Sequence, residues 1–421
     1  MGDDTFVRLL SSLLILLALV VQGCGTVLPG FRGATTGARL AARDTRADAM
    51  LQAFGQELAR KPSTDNDIRL HLDGTEGFAA IHDLVRSARR TLWIETFIWH
   101  NDATGIALAQ ALRERKRAGV DVRVILDTFG SRHWDTDRAV TTILTDAGIP
   151  VRLYNRKLVR AADLHLTHRK LYLADGQRGL TGGMNVGDEY AVSWHDLLID
   201  VRGTAALQMH QEFQSDWNTS GDGPAEALPL PQAAEPAGTH AAALAITNPY
   251  DPKRRREIHG ALIRSIRAAR ERIRMFHIYV SEDTLIDELL AAHRRGVSVQ
   301  IMLPVANDSK IFRTVNKHYG RILRDAGVEV RLFDRTFSHI KYWSFDDRMV
   351  VLGSANADAR SMYENLEVSL AITAPDVVAD AEKRVFEADW ATSRLPNDHD
   401  LEIQPRSYIS VLLAEWFNDY L

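Results

Sequence analysis

Residues 106–130 read IALAQALRERKRAGVDVRVILDTFG, and residues 283–304 read DTLIDELLAAHRRGVSVQIMLP. In both, apolar residues recur at helical spacing up to a glycine, Gly119 or Gly296, that suits a left-handed helix cap. An alternating apolar run follows, Val120 to Leu126 or Val297 to Leu303, which predicts a strand. The correspondence extends in both directions. Asp146-Ala147-Gly148-Ile149-Pro150-Val151-Arg152-Leu153 answers Asp325-Ala326-Gly327-Val328-Glu329-Val330-Arg331-Leu332. Upstream, the helical pattern of 78–90 leading into Thr91 to Trp99 answers that of 257–271 leading into Arg272 to Val280. Each half thus runs strand, helix, strand, helix, strand. That order implies an α/β fold of two related domains, each a mixed or mostly parallel sheet flanked by helices.

The length of 421 residues exceeds one ordinary domain. A composition of 45% hydrophobic and 25% charged residues excludes a disordered chain and a polytopic membrane protein. A net charge of -4 argues against a protein that grips nucleic-acid backbones, so no nucleic-acid partner is expected. Residues 219–247 hold Pro224, Pro229, Pro231 and Pro236 among Ala and Gly, which is linker composition. The expected domains are therefore 66–218 and 248–398, joined by 219–247.

The single cysteine, Cys24, excludes an internal disulfide and a cysteine metal cluster. Leu9 to Val21 is an apolar run of thirteen after Arg8, short for a membrane span and right for a signal peptide. Val21-Gln22-Gly23-Cys24 resembles a bacterial lipobox, which implies lipidation at Cys24 after removal of the leader in 1–24. An uncleaved anchor and ordinary secretion are the alternatives. With lipidation, 25–65 forms a tether and N-terminal helix, and the remainder lies in the cell envelope outside the cytoplasm, in the periplasm of a Gram-negative host. The tail 399–421 is aromatic and amphipathic from Tyr408 to Phe417, which suits a core-docking helix or a membrane interface.

The chemistry is carried by a second layer of the repeat. His168-Arg169-Lys170 is followed by Asp175, Gly182-Gly183-Met184-Asn185 and Asp196. His339-Ile340-Lys341 is followed, at the same intervals, by Asp346, Gly353-Ser354-Ala355-Asn356 and Glu367. His168, Lys170, Asp175, His339, Lys341 and Asp346 form the candidate catalytic set. Histidine and lysine two apart on a strand share a face. Asp175 and Asp346 have the opposite parity and stand at tight-turn positions, so holding the turn is favoured for them over touching substrate. Asn185 and Asn356 are candidate donors to phosphoryl oxygens. Asp196 and Glu367, each 28 residues after a histidine, are read as acceptors that fix a ring tautomer. His100, His195 and His277 border strand ends, with cleft-lining and packed roles both open. Such a set suits a phosphodiester: one histidine attacks phosphorus while the other moves the proton. No metal or cofactor is expected, since no carboxylate cluster for magnesium is present.

These motifs resemble the phospholipase D superfamily over roughly residues 66 to 395. Ile94 to Asp102 is similar to a stretch of bacterial cardiolipin synthases, and Gly182 to Tyr190 resembles the cardiolipin synthase C branch. Asn356-Ala357-Asp358-Ala359-Arg360-Ser361, with Asn365 and Glu367, resembles the family's ending. The resemblance implies two pseudo-twofold-related domains with the active site at their interface. It also implies phosphatidyl transfer through phosphohistidine, with His168 as nucleophile and His339 as acid and base. The implied substrates are phosphatidylglycerol and a second phospholipid such as phosphatidylethanolamine, taken from a membrane surface. Competing readings are a phospholipase D-type hydrolase or exported endonuclease using water, and an inactive lipid-binding module.

Overall fold

A computed structural model describes residues 44–131, 138–155, 165–221, 223–251, 253 and 255–403. In the first half the strands are β1 (Ser63–Leu72), β2 (Thr91–Thr96), β3 (Asp121–Asp127), β4 (Val151–Tyr154), β5 (Leu171–Ala174), β6 (Arg178–Gly182) and β7 (Leu197–Arg202). In the second they are β8 (His240–Asn248), the short β9 (Arg255–Arg256), β10 (Arg272–His277), β11 (Ser298–Pro304), β12 (Glu329–Phe333), β13 (Lys341–Phe345), β14 (Met349–Gly353) and β15 (Glu367–Ile372). Among the described residues all fifteen join one sheet, in the order β12-β11-β10-β13-β14-β15-β8-β1-β7-β6-β5-β2-β3-β4, with β9 beside β8. The order is a palindrome about the β1–β8 pair, as a pseudo-twofold requires.

The sheet is mixed. β2, β3 and β4 run parallel, as do β10, β11 and β12, and every other pair of neighbours is antiparallel. Antiparallel pairs therefore outnumber parallel ones, because the histidine-lysine motif leads into a hairpin (β5–β6, β13–β14) rather than another crossover. Residues 240–247 of the expected linker form most of β8, which pairs with β15 across Ala242 to Thr247. Proline, alanine and glycine content marked the loop but not the apolar strand that ends it.

Alternating strand residues feed separate cores. Trp93, Leu171 and Leu173 pack with Phe213 and Trp217 of the helix Thr204–Thr219. Phe276, Tyr342 and Val377 from the second half join the same cluster. Leu92, Ile94 and Tyr172 face the other way, against Phe78 to Val85 and Leu108 to Leu112. Met275, Trp343 and Phe345 do the equivalent in the second half. The quoted helices run Ala103–Arg117 and Asp283–Arg294, and each starts on a side-chain cap, Asp102 to the Gly105 N–H and Glu282 to the Leu285 N–H. Gly119 and Gly296 end them at φ +87° and +89°. Cys24, the leader, residues 25–43 of the tether and residues 404–421 of the tail lie outside the described residues. Among those described, no helix is long and apolar enough to cross a membrane.

Candidate active site

The two motifs enter β5 and β13 from loops that cross between the halves. The His168 N–H donates to Leu366 O (3.0 Å), and the His339 N–H donates to His195 O (2.8 Å). Leu366 and His195 each precede one of the acids. As a result, the acids are exchanged. His168 Nδ1 lies 2.9 Å from Glu367 of the second half, and His339 Nδ1 lies 2.9 Å from Asp196 of the first. Each histidine is thus oriented by the other half, with Nε2 left for chemistry. The equal spacing of both motifs signalled the acids but carried no hint of this exchange.

Lys170 Nζ donates to His168 O (2.7 Å) and Lys341 Nζ to His339 O (2.6 Å), which folds each ammonium back beside its histidine. Burial pulls Lys170 down to about 7 and Lys341 to about 8, against nearby Glu367 and Asp196. Phe97 meets the His168 ring at 5.2 Å, while Tyr190 and Trp194 stand 5.8 and 5.6 Å from His339. These rings help to bury both histidines.

The two acids are not electrostatic twins. Burial pushes Glu367 up, but His168, Lys170 and the Ser354 hydroxyl outweigh it and hold its carboxyl below the usual value. Ser361 Oγ adds a second hydroxyl at 2.9 Å. Asp196 has the Leu197 N–H (2.8 Å) and no such hydroxyls, and burial raises it to about 7. Part of the difference lies in the glycine motif. Ser354 of the second half is Gly183 in the first, where a Cβ would sit 2.0 Å from Asp196 Oδ1. Burial lowers both rings, and neighbouring Lys341, Lys170 and His168 carry His339 well down.

The remaining candidates fall elsewhere. Asp175 and Asp346 sit in the hairpin turns at φ +59° and +55°. Asp175 accepts the N–H groups of Arg89, Arg90 and Thr91, and Asp346 those of Arg270, Glu271 and Arg272. Both therefore fasten the loop before β2 or β10 and neither is hydrogen-bonded to a motif histidine, which favours the turn-holding role for them. Asn185 is also committed, since its Oδ1 accepts the Ile98 N–H (3.2 Å) and its Nδ2 donates to Tyr190 (2.8 Å). Asn356 Oδ1, in contrast, is buried without a partner. His100 pairs with Glu189 at 3.0 Å. His195 is clamped between Asp73 (2.6 Å) and Asp389 (2.7 Å). His277 is buried with neither ring nitrogen hydrogen-bonded.

Sequence reasoning passed over Arg169. Fully buried, it donates to Glu367 O (3.2 Å), Thr247 O (3.3 Å) and Asp216, with Glu212 at 3.3 Å. Its charge binds the first motif to the second half's acid strand. Ile340 holds the same place in the second motif, so the repeat gave no signal for it.

The family model described as "Cardiolipin synthase, PLD-like domain" matches residues 81–217 and 262–390. The chain belongs to this family. Among relatives of this cardiolipin synthase family, "Cardiolipin synthase A" of Pseudomonas fluorescens (strain SBW25) is 32% identical over 366 residues, spanning 84% of this chain and 74% of that one. The protein of the same name from Pseudomonas fluorescens strain ATCC BAA-477 is 31% identical, with 84% and 75% covered. These names carry the A designation, where Gly182 to Tyr190 suggested the C branch. In fold, the chain is similar to phosphatidylserine synthase of Haemophilus influenzae Rd KW20, with a TM-score of 0.66 at 14% identity, covering 89% of this chain and 100% of that one. It is also similar to polyphosphate kinase of Porphyromonas gingivalis, with a TM-score of 0.54 at 14% identity, covering 84% and 56%.

Proposed function

We propose that this protein transfers a phosphatidyl group between phospholipids at a membrane surface and makes cardiolipin. The observation that carries the reading is the pair of exchanged histidine–carboxylate contacts flanked by two buried lysines. In the first step His168 Nε2 attacks phosphorus, the bond to the donor's headgroup alcohol breaks, and His339 protonates that alcohol. Lys170 and Lys341 neutralise the non-bridging oxygens. In the second step a headgroup hydroxyl of phosphatidylglycerol gives its proton to His339 and attacks phosphorus, releasing His168. The electrostatic asymmetry suits these roles. A phosphorylated imidazole that keeps its Nδ1 proton is cationic, and the ionised Glu367 stabilises it. In the pair His339–Asp196 the buried carboxyl is raised to about 7 and holds Nδ1 of the ring, which supports the proton-moving role.

Exposed Phe129 and Val305, just past the ends of β3 and β11, with Ile311 and Val192, support docking on a lipid surface. The lipobox-like segment at Cys24 supports anchoring in the cell envelope. Palmitate labelling of cells, lost in Cys24→Ser, tests the anchor.

The function is tested by giving the purified protein phosphatidylglycerol vesicles, with and without phosphatidylethanolamine, and separating products by thin-layer chromatography and mass spectrometry. Cardiolipin made by the wild type and not by His168→Ala is the expected result. Phosphatidic acid alone makes the protein a hydrolase, and no lipid turnover overturns the lipid reading.

A further inference from the structure

The two halves differ at one polar pair beside the motif lysines. The strand registers place Ile94 opposite Tyr172 and Met275 opposite Trp343, so two residues further along, Thr96 and His277 hold equivalent places. The bridges Trp99–Val186 and Val280–Ala357 make Asn185 and Asn356 equivalent in the same way. In the first half this pair is self-sufficient. Thr96 Oγ1 donates to Ile98 O (3.1 Å) and stands 3.3 Å from Asn185 Oδ1, while Asn185 Nδ2 meets Tyr190.

In the second half histidine replaces threonine, and Ser361 replaces Tyr190. Ser361 Oγ is engaged by Glu367 and by the Asn356 backbone N–H (3.2 Å). This leaves His277, 1% exposed, with both ring nitrogens unpaired, and Asn356, 3% exposed, with its side-chain oxygen unpaired. A buried polar group without a partner is costly, and one beside a candidate active site is completed by what binds there. His277 lies opposite Lys341 in the β10–β13 ladder, and its ring packs at 5.3 Å on Trp343. Burial and the Lys341 charge keep the ring neutral, so it offers one N–H and one lone pair. The Asn356 oxygen only accepts. One hydroxyl satisfies both by accepting from the His277 N–H and donating to Asn356 Oδ1, and a fitting ligand carries it beside a second hydroxyl that attacks a phosphate held by Lys341. A polyol does this. Water or a monohydric alcohol spends its one oxygen on the attack at phosphorus and leaves this pair unfilled.

We propose that His277 and Asn356 form the subsite for the polyol headgroup of the acceptor, and so set the preference for transfer over hydrolysis. This rests on the transferase reading above. The acceptor enters on the second-half side, where His339 takes the proton of its attacking hydroxyl. A further hydroxyl of the same headgroup is held by His277 and Asn356.

The test is a competition between two soluble acceptors, glycerol and ethanol, with full-length enzyme and phosphatidylethanolamine vesicles. The products are phosphatidylglycerol, phosphatidylethanol and phosphatidic acid. Wild type is expected to favour glycerol. In His277→Phe the glycerol-to-ethanol ratio falls about tenfold, and phosphatidic acid gains at the expense of phosphatidylglycerol. His277→Thr, which copies the first half, is read by the same ratio should the phenylalanine variant fail to fold. A ratio that stays at the wild-type value in a folded variant overturns the subsite. A wild type that makes only phosphatidic acid overturns the transferase reading instead, and the subsite with it.

Discussion

Ser354 occupies the place that Gly183 holds in the first half, and its hydroxyl donates to Glu367 where the glycine offers Asp196 no side-chain donor. The consequence is measurable. Removing that donor in Ser354→Ala raises the Glu367 carboxyl, so Glu367 becomes protonated at a higher pH. The acid limb of the pH–rate profile then moves up by about one unit, since a buried hydrogen bond to a charge contributes about 1.5–3 kcal/mol. An unmoved limb means Ser354 does not set the charge of Glu367. Glu367→Gln, which keeps the shape and loses the charge, is expected to lower kcat about a hundredfold in steady-state assays. At this scale the sequence named His168, His339, Lys170, Lys341, Asp196 and Glu367, because a duplicated motif repeats residue types at fixed intervals. It did not reveal that each acid serves the other half's histidine, since that contact depends on how loops cross between halves.

Among the elements, the β5–β6 and β13–β14 hairpins join the motifs to the rest of the sheet. Their turn aspartates each gather three backbone N–H groups from the loop before β2 or β10. Asp175→Ala removes the acceptor of three backbone N–H groups, two of them open to water, and is expected to destabilise the fold by about 1–2 kcal/mol in urea unfolding. The protein that remains folded keeps a kcat within a few-fold of wild type. A loss of a thousandfold at unchanged stability would keep Asp175 in the catalytic set. Parity and turn chemistry made this placement readable, because seven positions from the histidine is the opposite face of a strand. The antiparallel majority in the sheet was less legible. Periodicity identifies strands, while direction depends on the length of each connection, and the linker that ends in β8 hid a central strand behind four prolines.

For the whole molecule, the halves are joined by charge as well as by β1 and β8. Arg169 links the first motif to Glu367 O and Thr247 O, amid Asp216 and Glu212. Arg169→Ile, which copies Ile340, leaves buried carboxylates without their cation and is expected to cost about 3–5 kcal/mol in chemical denaturation. His195 spans the halves between Asp73 and Asp389. Burial lowers its ring, but the two carboxylates outweigh that and raise it to about 9. A folded value above the unfolded one means its contribution is complete below about pH 6.5 and fades as pH rises through 9. The stability gap between wild type and His195→Gln should therefore be widest near pH 6 and nearly closed by pH 10. The central claim, that a phosphatidyl group is carried on His168 while His339 moves the proton, is tested most directly with a short-chain phosphatidyl ester of p-nitrophenol. That leaving group needs no proton. His339→Ala is expected to release a stoichiometric burst of p-nitrophenol and to carry the phosphatidyl mass on His168 after a neutral denaturing quench, with no burst from His168→Ala. A burst and adduct on His339 in His168→Ala would reverse the roles, and an adduct in neither variant would contradict the covalent mechanism.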